Sequence, residues 1–336
     1  MLKTTIELIK YLKLDESEKE ATIVGSLVYS ILKCGDKSDA DAILNQYLTN
    51  PYDFYHSFLL PVFKKFGDDS FAEQIFNVFI SQNKLNENAD SNILEVLGHL
   101  KYGPIKPILA DYVFENTDLD YVTADAALGL MNFDCAEYQN DIETAIDKCY
   151  GKNLFPEFVP ALVCKLKNRN SILEKLYELG NEYASTDCNG GIILGFSLCG
   201  EEGKHYFRKA LFNQNWETDS TSTGTVHFTY DGLKNLGITF KELYHEIKLV
   251  SDTEKIKYCL YVFFALLQTK IDDIEINKNE RFADIHTALF KWKTDKKIEN
   301  IFDLAERVGL THEAYEIQKL VEMKMNEEAI LENYIS

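Results

Sequence analysis

The chain repeats a Leu-Gly step inside apolar stretches that have helical spacing. The steps are Leu97-Gly98, Leu128-Gly129 and Leu194-Gly195, and they lie 31 and then 66 residues apart, so the second interval is close to two units. Each step is followed by a turn and a second amphipathic stretch. Helical hairpins of this kind cannot bury their apolar faces alone, so neighbouring hairpins must stack. The recurrence therefore constrains the architecture before any chemical motif is considered.

Apolar residues keep the helical spacing along most of the chain. In one unit Ile105, Ile108 and Leu109 share a face with Tyr112 and Val113, as an amphipathic helix requires. The alternation typical of strands is nearly absent. We therefore predict an all-α fold, an α-α superhelix of stacked helical hairpins. The predicted hairpins pair residues 21–33 with 40–48, 58–66 with 71–80, 92–100 with 105–115, 122–131 with 138–149, 158–166 with 172–179, and 191–198 with 206–212.

Helix starts are indicated by a second, independent pattern. A Ser, Thr or Asn followed three residues later by Glu can form a capping box, which stabilises a helix by about 1 kcal/mol. This spacing occurs near seven predicted helix starts: Ser17/Glu20, Ser70/Glu73, Asn92/Glu95, Asn140/Glu143, Ser171/Glu174, Thr239/Glu242 and Ser251/Glu254.

The hairpins of residues 21–212 resemble the HEAT and armadillo group of helical repeats. Pro61 and Pro160 lie within first helices, and Asp36, Asp68 and Asp134 lie in the turns of the hairpins, at positions such repeats use. The resemblance implies a HEAT-like α-solenoid of paired helices. Turn lengths vary, and no basic residue follows the three aspartates at one fixed offset.

We predict one continuous array in three parts. Residues 1–213 form HEAT-like repeats, 214–232 form an irregular insertion loop, and 233–336 form further helical repeats with a C-terminal cap. The loop is rich in Ser and Thr and continues into a stretch with strand-like composition, 226–230, with Trp216 and His227 as its expected binding anchors. The helices expected beyond it are 240–249, 255–268, 282–292, 298–308 and 312–327.

The charge of the chain is strongly and unevenly negative. The net charge is −19, which disfavours nucleic acid and anionic membranes as partners. Residues 107–147 contain no Lys or Arg, whereas a later helix carries Lys204, His205, Arg208 and Lys209. The acidic stretch is either a solvated face that keeps the protein in solution or a docking surface for a basic protein. Its carboxylates are Asp111, Glu115, Asp118, Asp120, Asp125, Asp134, Glu137, Asp141, Glu143 and Asp147.

The leading hypothesis is a non-catalytic scaffold that recognises a basic protein partner through an acidic face. One concrete form is an immunity protein that neutralises a cognate bacterial toxin, by analogy with acidic immunity proteins that resemble HEAT arrays. The residues expected to contact the partner are Asp111, Glu115, Asp141, Glu143, Asp147, Glu174, Glu178 and Trp216.

The alternative is an enzyme or nucleotide-binding protein with its site in the concavity of the solenoid. The seven histidines are scattered, Asn189-Gly190-Gly191 is not part of a nucleotide-binding motif, and Ser197 is not in a G-x-S-x-G elbow. We therefore expect no catalytic residue, metal or cofactor.

Cysteine usage indicates the compartment. The seven cysteines contain no C-x-x-C pair, so we expect buried free thiols in a reducing environment. The longest apolar run, 258–267, is too short to span a bilayer, and residues 1–14 lack a signal-type core. The sequence predicts a cytoplasmic protein without a membrane segment.

Overall fold

A computed structural model of the protein describes residues 1–115, 120–149, 158–182 and 188–272. These residues are mostly helical, and the only strands among them are β1 (Ile80–Ser81) and β2 (Lys84–Leu85), which pair antiparallel across a tight turn. The all-α class is therefore confirmed for this part of the chain. The predicted helices 282–292, 298–308 and 312–327 lie outside the described residues.

The chain divides into two compact units. The first contains Met1–Cys135 and the second contains Ala136–Ile274, of which the structure describes residues up to 272. This division does not coincide with the predicted boundaries at 213 and 232.

Helices of the first unit alternate between two layers. One layer is formed by α2, α4, α6 and α8, each of which contacts the next, and α1, α3 and α5 contact one another in the same way. Helices that alternate in sequence thus pack side by side, as stacked hairpins do. The helices are α1 (Lys3–Leu12), α2 (Ala21–Cys34), α3 (Lys37–Thr49), α4 (Leu60–Phe66), α5 (Asp69–Phe79), α6 (Asn92–His99), α7 (Lys106–Phe114) and α8 (Tyr121–Leu130).

Two of the Leu-Gly steps meet where α6 packs against α8. A Cβ atom added to Gly98 of α6 would lie 2.3 Å from the Cα of Gly129 in α8, and one added to Gly129 would lie 2.7 Å from the carbonyl oxygen of Leu94. No side chain fits at either position without moving a backbone. The recurrence is therefore an architectural feature that lets helices of one layer approach each other.

The second unit repeats the arrangement. The 3-10 segment Val159–Lys165, α11, α13 and α15 contact one another in succession, while α10 contacts α12 on the other side and α14 packs on α15. The helices are α9 (Gln139–Cys149), α10 (Asn170–Glu182), α11 (Cys188–Leu198), α12 (Glu201–Leu211), α13 (Thr225–Leu236), α14 (Phe240–Leu249) and α15 (Thr253–Asp272).

The expectation of a strand-like stretch at residues 226–230 is wrong. Residues 225–236 form α13, because Val226, Thr229, Tyr230 and Leu233 fall at helical spacing and are buried. Burial of this face outweighs the weak strand preference of Val, Thr and Tyr. The irregular part of the predicted 214–232 insertion is therefore confined to the residues before α13.

Aspartates cap several helices where Ser was expected. Asp68 accepts from the amide of Phe71, and Asp15 forms a box with Glu18, so the Ser70/Glu73 and Ser17/Glu20 boxes are wrong. The Thr239/Glu242 box is confirmed. Asp36 and Asp68, predicted as turn residues, both act as N-caps, so the carboxylates of these turns satisfy helix amides.

Polar side chains also join helices that are distant in sequence. Lys64 Nζ donates to both carboxylate oxygens of Glu95 at 2.9 Å, 31 residues away in sequence. Arg169 Nε donates to Glu202 at 2.6 Å, 33 residues away. These two separations are close to the 31-residue interval between the first two Leu-Gly steps.

The expectation of buried thiols is confirmed for most described cysteines. The thiols of Cys34, Cys135, Cys149, Cys199 and Cys259 are buried, and that of Cys164 is partly exposed. The side chain of Cys188 lies outside the described residues.

Candidate functional site

Carboxylates on α9 and α10 form the candidate site, which we call the acidic surface. It consists of Asp141, Glu143, Asp147, Glu174 and Glu178, all of them exposed. Ile142, Ala145 and Ile146 bury the opposite face of α9, and the leucines of α10 do the same. Amphipathic packing therefore turns the predicted carboxylates outward.

The first turn of α9 is linked through one side chain to the residues that precede α10. Gln139, the first residue of α9, donates to the carbonyl oxygen of Lys165 at 2.9 Å and accepts from the amide of Lys167 at 3.0 Å. Both helices also contact the 3-10 segment Val159–Lys165. The start of α9 thus lies beside the turn that leads into α10.

None of these five carboxylates forms an ion pair within the part of the chain that the structure describes. No described cation neutralises these carboxylates, and their exposure makes them accessible to an incoming cation.

Asp111 and Glu115 were predicted to belong to the same face. They are exposed on α7 and at its C-terminal end, and among the described residues neither forms an ion pair. They belong to the first unit, whereas the acidic surface belongs to the second.

Trp216 is a core residue, and its predicted role as a binding anchor is wrong for this conformation. Its side chain is fully buried, with its rings 5.5 Å from Tyr177 and 5.8 Å from Phe196. The 3-10 turn Gln214–Trp216 directs the indole inward, and Gly180 makes room, since a Cβ there would lie 2.3 Å from the indole. His227, the other expected anchor, is exposed on α13.

Two cations of the basic stretch on α12, Lys204 and Arg208, are paired with carboxylates. Arg208 bonds to Glu246 of α14 and lies 3.7 Å from Glu242, and Lys204 lies 3.3 Å from Glu201. Arg208 therefore reinforces the packing of α12 against α14 and is not a free cation. The sequence could not show this, because the partners are about one hairpin away.

The half-buried carboxyl of Asp125 in the first unit was not predicted from the sequence. The pKa of Asp125 is raised to about 6, chiefly by burial; the hydrogen bond from Ser91 opposes this rise, and the carboxylates of Glu95 and Asp90 add to it. The four residues lie at the α6–α8 contact. Asp125 follows the helical spacing of α8, but nothing in its sequence neighbourhood distinguishes it from the exposed aspartates.

Two further properties bear on possible chemistry. Within the described ranges, no group of three or more His, Cys, Asp and Glu side chains is placed to hold a metal ion. Of the helices that are described, none is both long enough and apolar enough to cross a membrane.

Comparison of the chain with protein-family models, curated proteins and solved structures finds no match.

Proposed function

We propose that the protein is a non-catalytic scaffold that binds a basic protein partner through the acidic surface of α9 and α10. The observation that carries the proposal is the contrast in pairing within the second unit. Arg169, Lys204 and Arg208 are engaged by carboxylates, whereas the carboxylates of the acidic surface have no cationic partner among the described residues.

Unpaired carboxylates on two helices that contact the same 3-10 segment attract a basic protein in two ways. The net charge of −19 provides a long-range field, and the local cluster orients the partner at close range. Because the carboxylates already face solvent, they lose little hydration before contact. The expected interaction is fast at low ionic strength and is weakened by salt.

In this proposal each unit is a HEAT-like stack that works in the cytoplasm. Side-chain bonds between positions 31 and 33 residues apart and the alternation of helices between two layers support the stacking. An immunity protein that neutralises a basic bacterial toxin is one concrete form. The test of this hypothesis is co-expression with the protein that the neighbouring gene encodes. Host cells that produce this chain should be protected against growth inhibition by that protein.

The test of the surface itself is affinity capture with two charge-matched variants. The α9 variant carries Asp141→Lys, Glu143→Lys and Asp147→Lys. The control carries Asp69→Lys, Glu73→Lys and Glu87→Lys, which also lie at exposed and unpaired positions of the described chain. Each triple includes one aspartate of a helix first turn, so the effects on the helix dipole are matched.

We expect the wild type and the control to capture the same basic protein from a lysate of the native host, and the α9 variant to lose it. Circular dichroism should show the same helix content for all three. Equal capture by the α9 variant and the wild type would remove the acidic surface from the proposal.

A further inference from the structure

A cavity opens between α12, α14 and α15 of the second unit, away from the residues of the acidic surface. Its volume is about 700 Å³, and its walls include Arg208, Phe212, Val250 and Tyr258. Cavities of roughly 300–1,000 Å³ accommodate small organic molecules. The size alone therefore permits a ligand, and the chemistry of the walls defines its class.

The charged groups of the walls leave an excess of positive charge. Arg208 is engaged by Glu246, and Glu254 is engaged by Lys257 at 2.9 Å. Lys209 and Lys255 also line the cavity, and within the described residues neither ammonium group has a carboxylate partner. The Lys209 ammonium also lies 5.5 Å from the ring centre of Tyr177 and 5.9 Å from that of Tyr206. These ring contacts neutralise no charge, so both lysines add positive charge to the cavity.

The remaining walls combine apolar side chains with the polar side chains of Asn213, Gln214 and Tyr258. Phe212 and Val250 are half-buried, and Cys259 is fully buried. The Tyr258 hydroxyl donates to Asp219 at 3.5 Å, which orients the ring. A ligand that fills the cavity therefore meets hydrocarbon at its body and ammonium groups at its end.

We infer that this cavity binds a small organic anion in which a carboxylate or phosphate group is attached to an apolar body. Lys209 and Lys255 bind the anionic group, and Phe212 and Val250 pack against the apolar body. The site is separate from the acidic surface, and it does not depend on a protein partner. This cavity therefore binds anions, whereas the acidic surface of α9 and α10 attracts cations.

Isothermal titration calorimetry of the full chain with phenyl phosphate and with benzoate tests the inference. At least one of the two should bind at a single saturable site, and whichever binds identifies the anionic group. Phenol and inorganic phosphate, which each lack one half of the proposed ligand, should bind at least about tenfold more weakly.

Three variants locate the site. Lys209→Gln with Lys255→Gln should weaken binding at least about tenfold, and Val250→Trp should abolish it by filling the cavity without changing the charge. Lys241→Gln with Lys248→Gln removes the same charge from exposed positions of α14 outside the cavity walls and should leave the affinity within about twofold. Failure of both probes to bind, or equal losses in the two lysine double variants, would overturn the inference.

Discussion

The acidic surface of α9 and α10 and the α12–α14 contact belong to the same unit and have opposite charge arrangements. At the α12–α14 contact the cation Arg208 is held by Glu246 and Glu242. On α9 and α10 the carboxylates are exposed and unpaired within the described residues. The buried residues of α9 and of α12 are apolar in both regions. The difference in charge pairing therefore arises at positions outside the core.

The 3-10 turn that carries Trp216 contacts both α10 and α12, and removal of the Trp216 side chain should have the largest effect on stability. Trp216 packs against Tyr177 of α10 and Phe196 of α11, and its indole nitrogen makes no hydrogen bond. Trp216→Ala should therefore cost about 3–5 kcal/mol in the free energy of unfolding through lost packing. Urea denaturation measures it. Phe54→Ala, which removes an exposed aromatic side chain, should cost less than about 1 kcal/mol.

Reversal of the α10 carboxylates should separate binding from stability. Glu174→Lys with Glu178→Lys should weaken partner binding about tenfold and leave unfolding nearly unchanged, because these exposed groups have no ion pair to lose within the described chain. Titration of the captured partner measures the affinity.

The α12 carboxylates provide the contrasting pair. Glu201 and Glu202 are engaged by Lys204 and Arg169, so Glu201→Lys with Glu202→Lys should lower stability by about 1 kcal/mol and affect binding less than the α10 variant. If the α12 variant lost as much affinity as the α10 variant, pairing would not distinguish the two regions.

The half-buried carboxyl of Asp125 should make stability depend on pH in a way that the exposed carboxylates do not. Its folded pKa of about 6 lies above its ordinary value, so its contribution to stability is fully present below about pH 4 and is lost as the pH rises through 6. Asp125→Asn replaces the carboxyl with an amide that does not ionise, so the variant does not lose this stability as the pH rises. The variant should therefore unfold at a higher temperature than the wild type at pH 7, with the difference shrinking towards pH 4. A difference that is constant with pH would contradict the assignment.

Removal of the ion pair between Arg208 and Glu246 should have the smallest effect on the free energy of unfolding. Arg208 is 30% exposed and Glu246 is 38% exposed, and solvent weakens such pairs to about 1 kcal/mol or less. Arg208→Met should lower the free energy of unfolding by no more than that. A double-mutant cycle with Glu246→Gln isolates the pair, and a larger coupling energy would assign it a structural role comparable to packing.

The helical elements were predictable because their signals are local. Apolar spacing placed α14 at its observed bounds and α2 within one residue at its end. The Leu-Gly steps anticipated the close contact between Gly98 and Gly129. Helix α13 was missed because burial of its Thr and Val residues depends on neighbours distant in sequence.

The candidate site was predictable only in part, because several of its properties also depend on residues that are distant in sequence. Exposure of the α9 carboxylates follows from the amphipathic pattern of that helix. Burial of Trp216 depends on the space at Gly180, pairing of Arg208 depends on Glu246, 38 residues away, and the raised pKa of Asp125 depends on the packing of α6 against α8. Single-sequence patterns contain none of these tertiary contacts.

The rate of association with the captured partner tests the central claim most directly, because exposed complementary charges act chiefly on encounter. Stopped-flow measurements would compare the wild type, the α9 triple variant and the charge-matched control at about 0.05 M and about 0.5 M salt. At low salt the α9 variant should associate at least about tenfold more slowly than the wild type and the control less than about threefold, with both differences shrinking at high salt. Equal slowing of the two variants would contradict the acidic surface as the binding site and leave the net charge alone responsible.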